Sequence, residues 1–200
     1  MNRIRISAAI ARLTCLGLNA TGAAVGSNAP NGWTIESGTA APSYPVVEPA
    51  WTNLNIDAVV LACEAAWGTR VLQLQLYLMD DGPLRPIYPH ATMLKDDPRA
   101  EIRIDGQVFP AAVLFADDYA VLADAQEGPF PLLSDRLLDA LQAGKTMTLR
   151  FDLLSELSGP PTFDGEALVE LQAPGGSQAI AAMRRCAEAD RPLVARSVQP

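Results

Sequence analysis

Between residues 70 and 79, Leu72, Leu74, Leu76 and Leu78 alternate with Gln73, Gln75 and Tyr77. A period of two puts all four leucines on one side of an extended backbone, so this segment reads as a strand with one face against a core. The same period returns at residues 146–154, where Met147, Leu149, Phe151 and Leu153 point inward and Thr148, Arg150 and Asp152 outward. Two such strands, far apart in the chain, commit it to a sheet.

The other segments are read around that requirement. Residues 58–63 form an earlier strand on which Val59, Leu61 and Cys63 share a face. Asp80-Asp81-Gly82-Pro83 ends the 70–79 strand, and residues 84–100 read as a long proline-bearing loop of the kind that carries binding surfaces. Residues 101–109 fold as a hairpin, because Asp105-Gly106 tolerates the positive φ of a tight type I′ turn. A second hairpin, 111–116 with 119–123, turns at Asp117-Asp118. Ser134 then caps a helix whose Leu137, Leu138 and Leu141 share a face, with Gly144 as its left-handed stop. Residues 155–165 are a Gly/Pro loop, 167–171 a short strand, and Gly175-Gly176-Ser177 opens a final helix through Cys186. Short links favour antiparallel pairing. The expectation is one α+β domain over residues 51–190, mainly antiparallel sheet with an inserted helix and a C-terminal helix, followed by a tail at 191–200. Pro30, Pro42, Pro45 and Pro49 mark residues 25–50 as a flexible arm. Trp33 and Trp51 flank that arm and Trp67 follows Cys63; packing of the arm onto the domain is one reading, a hot spot for a partner the other.

Composition narrows the partners. The chain has 200 residues, 49% of them apolar, enough for one core-bearing domain. No run approaches the roughly 18 apolar residues that span a bilayer, so no transmembrane segment is expected. With 15 basic against 23 acidic residues, a net charge of −8, nucleic acid is excluded as a natural partner, and an acidic surface would steer a basic protein instead. Arg3, Arg5 and Arg12 are the only charges before Glu36, and the mostly apolar run that follows ends in small residues near Ala23 and Ala24. Residues 1–24 therefore resemble a secretory signal, with a disordered start as the alternative; the expected compartment is periplasmic or secreted. Cys15 lacks the aliphatic and small residues that precede a lipidation site. Cleavage leaves Cys63 and Cys186, an even number. Cys186 lies on the apolar face of its helix with Ala179, Ile180 and Met183, so both thiols point to the core. A bridge would tie the first core strand to the last helix and contribute on the order of 4–5 kcal/mol; two buried free thiols are the alternative. Two cysteines and one histidine do not make a zinc site, and no metal or cofactor is expected.

The first-strand cysteine, the Ile104-Asp105-Gly106 hairpin, the 137–145 helix followed by an alternating strand, and the terminal 179–186 helix together resemble small exported bacterial envelope proteins. The similarity is to the invasion-associated locus B family and to accessory proteins of type VI secretion, and it spans about residues 58–188. It implies a disulfide-bonded, periplasmic accessory role and carries no catalytic residues across.

Catalytic patterns are sparse. His90 is the single histidine, set in the 84–100 loop with no nucleophile near it in sequence. The acidic pairs Asp80-Asp81, Asp96-Asp97 and Asp117-Asp118 fall where turns are expected, which Asp favours; calcium binding or paired-carboxylate hydrolysis are the functional readings. The glycine-rich start of the last helix has donors for an anion. Arg184-Arg185 reads as a solvated helix end. The expected function is a non-enzymatic exported binding or accessory module that works by protein recognition, with Arg85, Tyr88, His90 and Lys95 as its candidate binding loop. The alternative is an envelope enzyme or enzyme inhibitor, such as a carboxylate-dependent hydrolase.

Overall fold

A computed structural model describes residues 32–36, 44–66, 68–79, 84, 94–116, 119–154 and 163–188. Among them the chain runs β1 (Thr34–Glu36), β2 (Tyr44–Val47), β3 (Trp51–Thr52), β4 (Ile56–Ala66), β5 (Thr69–Leu78), β6 (Leu94–Ile104), β7 (Gln107–Phe115), β8 (Tyr119–Ala123), β9 (Ala125–Glu127), β10 (Phe130–Leu132), α1 (Asp135–Ala143), β11 (Thr146–Leu154), β12 (Gly165–Glu170) and α2 (Gly176–Glu188). The class is broadly α+β, as expected, but mostly β. Ten strands form one sheet in the order β1-β2-β4-β5-β8-β7-β6-β11-β12-β3, and β9 pairs with β10 separately. Every strand pair among the described residues is antiparallel.

That order forces the sheet to curl. β2 and β3 stand near opposite ends of it, eight strand spacings apart, which in a flat sheet would be about 38 Å at ~4.8 Å each. Only residues 48–50 join them, and four extended steps reach at most about 14 Å. The sheet must therefore bend back until β3, paired with β12, comes within that reach of β2, paired with β4. Backbone bonds from Ala50 N to Leu168 O (2.8 Å) and Asn53 N to Glu166 O (3.2 Å) fasten this seam.

The concave interior is the core. Val59, Leu61, Leu74, Leu76, Ile102, Met147, Leu149, Phe151 and Val169 all lie in one buried cluster with Leu137, Leu138 and Leu141 of α1 and Ala179, Ile180 and Met183 of α2. The two periods of two in the sequence are thus the inward faces of β5 and β11. Cys63 and Cys186 are bonded, with Cα atoms 6.4 Å apart, tying β4 to α2. Arg184 pairs with Asp139 at 2.5 Å, linking α2 to α1, rather than standing in solvent.

Ser134 caps α1 through its hydroxyl, which accepts from Leu137 N at 3.1 Å. Asp124 in turn accepts from Ser134 N at 2.7 Å and from its hydroxyl, fixing the cap to the end of β8. Asp105 (φ 47°) and Gly106 (φ 90°) make the expected turn between β6 and β7. The Asp105 carboxylate accepts from Lys145 N at 2.9 Å and Thr146 N at 3.1 Å, so the hairpin tip also anchors the start of β11. Those donors, Lys145 first, hold its carboxyl below the ordinary range. A depressed folded-state pKa stabilises above the unfolded value and is lost as pH falls through the folded one. Asp105→Asn keeps the left-handed backbone accessible but removes the charge. It should lower the melting temperature at neutral pH and flatten the loss of stability below about pH 4, as checked by thermal melts from pH 2 to 7.

Three expectations need correction. Gly144 is not left-handed: its backbone is extended (φ −73°, ψ 161°). It is needed for space, since a Cβ there would run into Ile104 Cγ2 and the Ala140 carbonyl. Gly144→Ala should therefore cost about 1–3 kcal/mol, read from urea unfolding. The 25–50 arm is not a free arm where it is described, because Trp33 is buried and β1 and β2 belong to the sheet. Alternation over only three or four residues next to prolines hid them, and the folded unit begins before residue 51. Finally, residues 94–100 are not loop but the first half of β6. Pro98 concealed it. That proline sits where the β6–β11 register shifts, between Leu94↔Leu154 and Arg99↔Asp152, and before the pairing with β7 begins, so the ladder loses little without its N–H.

Candidate functional site

The outer face of the curled sheet carries a groove across β2, β4, β5 and β8. Register explains its shape. Val46 pairs with Val60 and Val60 with Gln75, while Ala58 pairs with Tyr77 and Tyr77 with Tyr119. Small side chains at Val46, Ala58 and Val60 leave a low strip between taller neighbours. The resulting trough of about 410 Å³ is lined by these three and by Tyr44, Asp57, Glu64, Gln75, Tyr77 and Tyr119.

Its walls are held by side-chain bonding. Gln75 is 4% exposed. Its amide nitrogen donates to Glu64 Oε1 at 3.2 Å and to Gln73 Oε1 at 3.3 Å, and its oxygen accepts from the Tyr77 hydroxyl at 3.5 Å. Gln73 continues the ladder by donating to Pro131 O at 2.9 Å. The β9–β10 hairpin is itself tied to β5 by Leu133 N to Leu72 O at 2.8 Å, so the ladder ends on a fixed support. The rings of Tyr77 and Tyr119 stack, with centroids 5.4 Å apart at 21°. Tyr44 lies toward the other end with Glu64; burial first, and then the Glu64 charge, push its hydroxyl up from the ordinary range, which keeps it a neutral donor. Among the described residues the lining holds two carboxylates and no Lys, Arg or His.

A second, smaller cleft of about 190 Å³ lies where β6, β7 and β11 meet, lined by Arg99, Glu101, Pro110, Asp152 and Phe163 among others. Its charges are paired with one another. Arg99 meets the fully buried Asp152 carboxylate at 2.7 Å, Arg103 and Arg150 both approach Glu101, and Arg150 sits 4.1 Å over the Phe163 ring. This is the outer side of the alternating β11 pattern, bound into an ionic ladder in which Asp152 is buried.

Of the candidate residues read from sequence, Cys63 and Cys186 form the bridge. Arg85, Tyr88 and His90 lie outside the described residues, as do the 1–24 segment and the Asp80-Asp81 and Asp117-Asp118 pairs. Lys95 and the Asp96-Asp97 pair lie in β6 rather than in a loop or turn, and the Asp97 side chain is exposed. The glycine-rich start of α2 is covered. Gly176 is buried, and a Cβ on it would meet the Leu171 carbonyl and the Trp33 ring. Among the described residues no three His, Cys, Asp or Glu side chains are grouped to hold a metal, and no helix is long and apolar enough to cross a membrane. Sequence reasoning missed the groove. Gln73, Gln75 and Tyr77 were visible as the outer face of a strand, but their partners come from β2, β4 and β8, and only the pairing brings them together. No protein-family model matches the chain, and no curated protein or solved structure matches it either.

Proposed function

We propose that the chain is an exported, non-enzymatic accessory module that acts by recognising another protein, and that the β2-β4-β5-β8 groove is its recognition surface. The observation that carries this reading is the groove itself: an open aliphatic strip flanked by three tyrosines and walled by a glutamine fixed through its own ladder. Tyrosines supply large, stiff contact area at low entropic cost, and a prebound wall has little left to order when a partner arrives. Export is supported by the Cys63–Cys186 bridge, which persists in oxidising compartments, and by the signal-like residues 1–24. The periplasmic accessory role implied by the resemblance to envelope proteins is consistent with it.

Affinity capture from the exported fraction of the native host tests the reading. The Tyr77→Ala/Tyr119→Ala variant should retain the partner about thirtyfold less well than wild type, the effect of losing one hot spot of about 2 kcal/mol. An Arg85→Ala/Tyr88→Ala variant serves as the comparison. Equal capture by wild type and the tyrosine variant, with the Arg85/Tyr88 variant deficient, would move recognition to the 85–95 segment and overturn the groove.

A further inference from the structure

The described lining of the groove is chemically one-sided. Among the described residues, two carboxylates, Asp57 and Glu64, line it without any basic side chain beside them. Between them runs the aliphatic strip of Val46, Ala58 and Val60, with Tyr44 toward one end and the stacked Tyr77 and Tyr119 toward the other. By strand register Tyr44 and Tyr77 are two rows apart, about 13 Å at ~3.3 Å per residue. Building on the recognition role just proposed, we infer that the groove receives a basic extended segment of the partner protein, with an Arg or Lys side chain laid along the strip and its cationic head at Glu64.

The fit follows from the two halves of such a side chain. Its methylene stem matches a floor of valine and alanine, and its head matches a carboxylate beside an aromatic rim. Glu64 already accepts one bond, from Gln75, which fixes its position while leaving it acceptor capacity for a cation. Tyr44 lines the groove too, its hydroxyl kept neutral by burial and by the Glu64 charge, and adds an aromatic ring to that end. A carboxylate-bearing or phosphate-bearing ligand is disfavoured by the same charges. The net −8 of the chain extends the attraction to longer range, where it raises the encounter rate with a basic partner.

Amide chemical-shift titration of the full exported chain with short capped peptides reads this directly. A glycine pentapeptide with a central arginine should shift the amides of Val46, Val60 and Gln75. The norleucine analogue, equal in stem but uncharged, and the glutamate analogue should bind at least tenfold more weakly. Glu64→Gln, which keeps the Gln75 contact possible, should weaken the arginine peptide at least tenfold and leave the norleucine peptide unchanged, and the wild-type preference should shrink with added salt. Equal binding of the arginine and norleucine peptides, or shifts confined to residues outside the groove, overturns the inference. Groove shifts that appear on concentrating the protein without peptide would overturn it in favour of a second copy of the chain. Failure of the arginine peptide while partner capture still depends on Tyr77 and Tyr119 would reject the cationic occupant alone; loss of that dependence would reject the recognition role itself.

Discussion

Replacing Cys63 and Cys186 together with alanine should lower the unfolding free energy by about 3–5 kcal/mol. The bond spans 123 positions, and loop-closure entropy for a ring of that size is about 5 kcal/mol at 25 °C. The native contacts around it give little of this back. Cys63 is buried beside Leu72 across the β4–β5 ladder, and α2 keeps its apolar face of Ala179, Ile180 and Met183 in the core without the bond. Arg70 Nη1 also loses its 3.4 Å contact with the Cys186 sulfur. Urea unfolding of the oxidised wild type and the double variant should show the midpoint falling with the slope nearly kept. A difference below about 1 kcal/mol would mean that the unfolded chain is already restrained, or that the bridge does not form.

Trp33→Ala should cost about 3–5 kcal/mol, the range for removing a buried large aromatic side chain. Trp33 is 7% exposed, although it lies in a stretch that reads as linker. Its indole N–H donates to Glu170 O at 3.1 Å, its backbone N–H donates to Pro174 O at 2.9 Å, and its ring covers Gly176 at the start of α2. Alanine would remove the ring, uncover the helix start and leave the Glu170 carbonyl without that donor. Trp33→Phe should recover part of the loss, because it restores ring packing without the N–H. A Trp33→Ala variant as stable as wild type would put the start of the folded unit after β1.

What was legible in the sequence depended on how local the signal was. β5 and β11 show seven and eight residues of clean alternation, Asp105-Gly106 specifies its own turn, and Ser134 with Leu137, Leu138 and Leu141 specifies α1, so each could be read in isolation. β1, β2 and β3 are only two to four residues long and are held by pairing, β1 with β2, β2 with β4, and β3 with β12, which lies far on in the sequence. Pro98 masked half of β6 because its harmlessness depends on a register shift that local sequence does not encode. Gly144 was correctly placed at a helix end for the wrong reason: the crowding comes from Ile104, on another strand. The groove is the extreme case. Its character comes from small residues on β4 lying between tyrosines contributed by β2, β5 and β8, and closure of the sheet rests on a two-residue strand.

Site-specific photo-cross-linking in the native host tests the recognition role most directly. A photoreactive amino acid at Val46, in the groove, should trap a discrete partner, whereas the same residue at Val108, which is 38% exposed on β7 outside it, should not. Addition of the arginine pentapeptide should suppress the Val46 adduct. An adduct formed at position 108 and absent at position 46, with both proteins folded and bridged, would contradict the groove as the site where this chain meets its partner.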